Sequence, residues 1–255
     1  MRTATMNQEH EIMFGAARIA FRLRHSKRKT LGITVTPDTC VRVTAPLKAD
    51  VEAVKRKVRN RAVWIRRQQR FFANFLPTLP ARRFVSGETH RYLGRQYRLK
   101  VIEATEASVK LKGRFIWVQT PRKGDTARVR ALVRGWYLGH ATQRFARSLA
   151  DGVKRLGGRV ATPRMLLRRM PKRWGSWTKR GVIYLNPELI LAPPSCIDYV
   201  VTHELCHLVH ASHGKAFFAL LQKAMPDWEQ RKALLEKVAA ETGVEAEACG
   251  QAADR

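Results

Sequence analysis

The sequence of 255 residues predicts an α+β protein, in which a basic, antiparallel β-rich N-terminal part carrying a long amphipathic helix precedes a largely helical C-terminal core. Three observations lead there. Apolar and polar residues alternate in several runs between residues 15 and 120, the period of half-buried strands. Two long stretches, beginning at Val51 and after Asp125, repeat their apolar residues at helical spacing. A short segment near the C-terminus gathers four of the chain's eight histidines.

Taken in order, "RIAFRLRHSKRKTLGITVTPDTCVRVTAPL" alternates around a turn at Pro37-Asp38 and predicts antiparallel strands. Asp50 then stands as an N-cap, and Val51, Val54, Val58, Ile65, Phe72 and Phe75 recur along one helix over 51–76, ending near Pro77. Lys55, Arg56, Lys57, Arg59, Arg66 and Arg67 cover its other side. "GETHRYLGRQYRLKVIEA" and "ASVKLKGRFIWVQT" read as two further strand pairs turning at Gly94 and Gly113. Asp125 caps a second long helix whose Val133, Tyr137, Ala141, Phe145, Leu149 and Val153 step by four, until Gly157-Gly158 stops it. Short strands are expected over Met165–Met170 and in "GVIYLN", with the loop "KRWGSWTKR" between them. Helices follow from Ser195, Lys215 and Asp227. No repeat is visible, and the polar, alanine-rich end reads as a flexible tail. The expected organisation is therefore 15–120, 121–242 and a tail of 243–255.

The charge is lopsided. Residues 1–180 hold 43 basic and 10 acidic side chains, whereas 181–255 hold 6 and 10, so the histidine-rich segment lies in the acidic quarter. A net charge of +29 favours a polyanionic neighbour, and the basic helix with Arg22, Arg24, Lys27, Arg28 and Lys29 suggests non-specific nucleic-acid contact through the phosphate backbone. The four cysteines, Cys40, Cys196, Cys206 and Cys249, are scattered without CxxC spacing, which excludes a cysteine zinc motif and fits a reducing compartment. Neither a signal-peptide core nor an apolar run of membrane length is present, so a cytoplasmic protein without membrane contact is expected.

The histidines carry the chemistry. In "VVTHELCHLVHASHGKAFF", Ser195 and Asp198 upstream have the form of a capping box, so a helix begins there and its register is fixed. Ile197, Val201, Leu205 and Leu208 share one face, and His203 and His207 lie one turn apart on the other, where both imidazoles reach one metal ion. Glu204 between them suits a general base acting on water that the metal acidifies. A catalytic zinc needs a third protein ligand, for which His213 is preferred and His210 is the reserve. Tyr199 and Cys206 project to the same side; Tyr199 reads either as an oxyanion donor or as packing, Cys206 as a small buried apolar residue.

With these motifs in hand, the chain resembles the YgjP-like metallopeptidases, zincin-fold proteins related in motif to SprT and WLM proteases. The resemblance runs through "RLRHSKRKTLGITVTPD", "VSGETHRYLGRQYRL", "RWGSW", "IYLNPELILAPPSCIDYVVTHELCHL", His213 before "KAFF", and "MPDWEQRKALL". It implies a zincin-like C-terminal core, Zn²⁺ as cofactor, His203, His207 and His213 as metal ligands, Glu204 as catalytic acid/base, and a protein or peptide substrate. SprT-like relatives further suggest proteolysis of proteins on DNA. Trp177 stands where that family usually has a cysteine, and "AFF" replaces a Phe-Trp pair.

Arg173, Trp174 and Ser176 lie beside the strand "GVIYLN" and read equally as a substrate cleft or a basic turn with a packed tryptophan. Two other functions compete with a zinc metallopeptidase: a metal-dependent nucleotide phosphohydrolase, and a nucleic-acid-binding protein with a structural zinc closed by a fourth ligand such as His210.

Overall fold

The computed structural model describes residues 8–36, 38–73, 82–170 and 173–242. Pro37 of the expected turn, the helix end expected near Pro77 and the tail at 243–255 lie outside them. Residues within 1–79 form one compact unit and residues within 80–239 another, each with its own core.

In the first unit β1 (Gln8–Phe14), β2 (Ala17–Ser26), β3 (Gly32–Val35) and β4 (Val41–Pro46) form a sheet of order β1-β2-β4-β3. It is mixed, not antiparallel as expected: β1/β2 and β3/β4 are antiparallel, but β2 and β4 run parallel because β3 lies at the outer edge. Alternation reports burial and carries no sign of strand direction. Ile19, Phe21 and Leu23 of β2 and Val41 and Val43 of β4 face inward. Val54 and Val58 of α1 (Val51–Asn60) and Ala62 and Ile65 of α2 (Ala62–Ala73) cover them. The single helix expected over 51–76 is thus two helices: Arg61 turns to φ −102°, ψ 8°, and its N–H bonds back to the Val58 and Arg59 carbonyls. The apolar spacing at 54, 58, 62 and 65 runs straight through the break, so periodicity does not register it.

The second unit opens with the same arrangement. β5 (Thr89–Tyr92), β6 (Arg95–Glu103), β7 (Ser108–Lys112) and β8 (Phe115–Thr120) pair in the order β5-β6-β8-β7, with β6 and β8 parallel. α3 (Thr126–Arg155) follows, as α1 follows β4. Both helices are entered through Pro-x-Lys-x-Asp, and Asp50 and Asp125 each accept a backbone N–H at 2.9 Å. The structure therefore repeats a strand order that the sequence, sharing little beyond these turns, does not display.

A third sheet, of β9 (Arg164–Leu167), β10 (Gly175–Trp177) and β11 (Val182–Leu185), has the order β10-β11-β9, so β10 is an antiparallel edge strand. The strand expected over Met165–Met170 stops at Leu167. A 3₁₀ turn (Pro187–Leu191) leads to α4 (Pro194–Val209), α5 (Lys215–Ala224) and α6 (Trp228–Thr242).

The entry to α4 is clamped by the β5–β6 turn. Leu93 and Gly94 donate backbone hydrogen bonds to the Ile190 and Leu191 carbonyls at 2.9 and 3.0 Å. Gly94 is held at φ +79°, and a Cβ there would lie 2.7 Å from Pro193 Cγ, so both conformation and space require glycine. The capping box expected from Ser195 and Asp198 is absent: the N-cap is Pro193, and Asp198 instead accepts hydrogen bonds from Arg144 (2.8 Å) and Ser148 of α3. A salt bridge across the helix pair outcompetes a local cap. α4 is buried on nearly all sides from Cys196 to His207, so the histidine face is as enclosed as the apolar one.

Candidate active site

His203, Glu204 and His207 are 2%, 3% and 6% exposed. α4 ends at Val209 with His210 as its C-cap, and the chain turns through Ala211 and Ser212 so that His213, just before α5, comes back over the first two. The three rings have centroids 4.6–5.0 Å apart. One nitrogen from each lies within 4.8 Å of the others, and the Nε2 atoms of His203 and His213 are 3.1 Å apart. Phe217, fully buried in α5, packs against all three rings at 4.6–4.9 Å and forms their apolar floor.

These imidazoles are held neutral. Burial, then the neighbouring rings and Lys232, keep His203 well below the usual histidine range. Burial and His213 bring His207 down to about 4, and burial and Lys232 lower His213. A neutral imidazole offers the lone pair a metal requires. The His207 Nδ1–H donates to the His210 carbonyl at 3.2 Å, which turns its Nε2 lone pair toward the cluster. The buried Nδ1 of His203 has no hydrogen-bond partner. Three neutral nitrogens, two on buried rings and one on the half-buried His213, converge beside the unpartnered Nδ1 of His203 and make a donor set that fits a divalent cation. Among the described residues no fourth metal-capable side chain joins this group; His210 contributes its carbonyl to His207, not its ring to the cluster. Burial raises the Cys206 thiol to about 12, which leaves it a protonated apolar group.

Glu204 is positioned by a residue that the sequence reading passed over. A Cβ on Gly175 would lie 2.6 Å from its Oε1, 2.7 Å from Cγ and 2.9 Å from Cδ. The carboxylate therefore rests on the bare backbone of β10. Two residues on and on the same strand face, Trp177 stacks on His207 with centroids 5.7 Å apart and planes 15° apart. Ser176, between them, points to the other face of β10, and Trp174 is a core residue at 1% exposure. Arg173 is exposed, and its carbonyl, with that of Met170, accepts from the amide of Asn186, which thereby anchors the loop leading into β10. Of the loop 173–177, then, Gly175 and Trp177 abut the HExxH residues. Tyr199 is fully buried, its ring 5.9 Å from His203 and stacked on Trp228 at 6.5 Å.

Three converging imidazoles beside a buried carboxylate and an edge strand, on an α+β scaffold, define the layout of a metallopeptidase. The chain belongs to the YgjP-like family: the family model described as YgjP-like, metallopeptidase domain, matches residues 29–238. Among solved structures, the metallopeptidase zymogen of Pyrococcus abyssi abylysin is similar over 40% of this chain and 99% of its own, at 20% identity and a TM-score of 0.36. No curated protein matches the chain. No helix among the described residues is long and apolar enough to cross a membrane.

Proposed function

We propose that the chain is a zinc-dependent peptidase of the zincin type, in which His203, His207 and His213 hold the cation and Glu204 is the general base. The observation that carries this reading is the convergence of one nitrogen from each of the three histidines within 4.8 Å, beside a glutamate that lies against Gly175. A divalent cation bound there supplies Lewis acidity, polarising a carbonyl and acidifying water. Glu204, 3% exposed and confined by β10, takes the proton of the attacking water and passes it to the departing amine. Phe217 and Trp177 exclude water around the imidazoles and fix their planes. Tyr199 packs His203 from the turn before it.

Peptide is favoured over nucleotide as substrate by β10. It is an edge strand of its sheet, and an extended peptide can add to its free side by backbone hydrogen bonds. Ser176 belongs to this edge and Arg173 to the loop before it, and in this reading both line the approach to the strand, whereas Trp174 is buried in the core. The basic region within 15–120 is the part that would meet nucleic acid. The free cysteines Cys40, Cys196 and Cys206 accord with a cytoplasmic setting.

The test is the Glu204→Gln variant, assayed on denatured protein and on nucleoside triphosphate. The variant is expected to keep one zinc per chain and the parent's melting behaviour while losing peptide hydrolysis by about 10²–10⁴-fold. Full peptidase activity in the variant would remove Glu204 from the chemistry, and turnover of the triphosphate alone would change the bond cleaved.

A further inference from the structure

The sheet β5-β6-β8-β7 buries Leu99, Val101, Ile116 and Val118 on one face, in the same core as Val129 and Val133 of α3. Its other face carries an ordered pattern set by the strand register. On the central strand β8, Phe115 is paired with Arg98 of β6 on one side and Lys112 of β7 on the other. Trp117 is paired in the same way with Lys100 and Lys110. Each aromatic ring is thus bracketed by two cations, in rows spaced by two residues, about 6.6 Å along the strand. All four cations are exposed, and Phe115 is 38% exposed. Among the described residues none of the four cations is in an ion pair, and no carboxylate occupies the outward positions of these strands.

We infer that this face of the sheet binds single-stranded nucleic acid, Phe115 and Trp117 stacking on unpaired bases and Arg98, Lys100, Lys110 and Lys112 meeting the phosphates between them. The fold does not demand these side chains. The first unit repeats the strand order, and its central strand β4 carries Arg42 and Thr44 outward, with no aromatic. Adjacent outward aromatics leave apolar surface in water, a cost that a stacking partner removes. The ring centroids are 6.4 Å apart, with planes inclined at 76°, so a strand crossing the face would present bases at different tilts and would have to be single-stranded. In a duplex the base faces are already covered, and only charge would be read. Lys100 sits 4.0 Å over the Trp117 ring in the free chain. An arriving base displaces that ammonium from the ring, and its flexible stem delivers it to a phosphate. This goes beyond the peptidase reading and does not depend on it.

The full chain is titrated into fluorescein-labelled (dT)12, (rU)12 and a twelve-base-pair duplex, with polyglutamate as competitor, at several salt concentrations. The duplex measures charge-driven binding anywhere on this basic chain. Phe115→Ala/Trp117→Ala is expected to weaken single-strand binding about 10–100-fold and leave duplex binding unchanged. Lys110→Ala/Lys112→Ala is expected to lower the slope of log K against log salt by about 1.4 for single strands. Phe115→Leu/Trp117→Leu keeps the apolar volume but removes the π-faces, and decides the matter should the alanine pair fail to melt cooperatively. A preference between (dT)12 and (rU)12 identifies the strand and supports the inference either way. Single-strand affinity within twofold of the parent in a folded aromatic variant overturns it, as does an equal loss for duplex. Displacement of (dT)12 by polyglutamate at equal charge also overturns it, in favour of an acidic protein partner.

Discussion

Replacing Gly175 with alanine is the sharpest perturbation the candidate active site offers. Gly175 has an ordinary backbone conformation, so a methyl group is opposed by space alone. That methyl would stand 2.6 Å from Glu204 Oε1, where ordinary van der Waals contact begins at 3.4 Å, so the carboxylate must retreat by most of an ångström. Displacement of a reacting group by about 1 Å costs on the order of 10²-fold in rate. Glu204 sits on a buried helix turn between two of the clustered histidines and has little room to yield sideways. We therefore expect Gly175→Ala to lower kcat on a fluorogenic peptide about 100-fold, with KM and zinc content near the parent's. The assay pairs steady-state kinetics with metal analysis and thermal melting of the same preparation. Parent-like kcat in a folded, zinc-loaded Gly175→Ala chain would refute the reasoning that Glu204 works from its seat on β10. Equal loss of zinc and activity would show instead that β10 supports the histidines.

Two further outcomes are expected. Trp177→Ala removes the ring stacked on His207 at 5.7 Å and should weaken zinc retention about 10–100-fold in chelator competition; unchanged retention would reduce Trp177 to surface cover. In the zinc-free chain, stability should fall as pH drops below 6.5, because the unfolded chain takes up protons that His207, at about 4, and His203, held well below the usual histidine range by burial, refuse. The contribution is fully present above 6.5 and is lost as pH falls through about 4, at no more than about 1.4 kcal/mol per pH unit for one group. A melting temperature flat from pH 7 to 4.5 would contradict it.

Much of the site is legible in the sequence because it is local. His203 and His207 are one helical turn apart, and a short turn before Gly214 makes His213 the preferred third member over His210, the residue that the structure brings to the other two. The caps Asp50 and Asp125 and the turns at Gly94 and Gly113 are likewise read from neighbours in the chain. What escapes depends on partners far along the sequence. Asp198 looks like half of a capping box until Arg144 and Ser148, some fifty residues earlier, claim it. Gly175 is one glycine among sixteen until Glu204 is found above it. The parallel pairing of β2 with β4 and of β6 with β8 has no signature in alternation, and without that register the bracketing of Phe115 and Trp117 by cations is invisible.

In the proposed site one cation is held by three imidazoles and by no sulfur. Zinc X-ray absorption on the loaded full chain tests it directly. Three histidine nitrogens in the first coordination sphere, falling to two in His213→Ala, is the result expected from the cluster. A zinc–sulfur distance, or a coordination sphere that His213→Ala leaves unchanged, would contradict it.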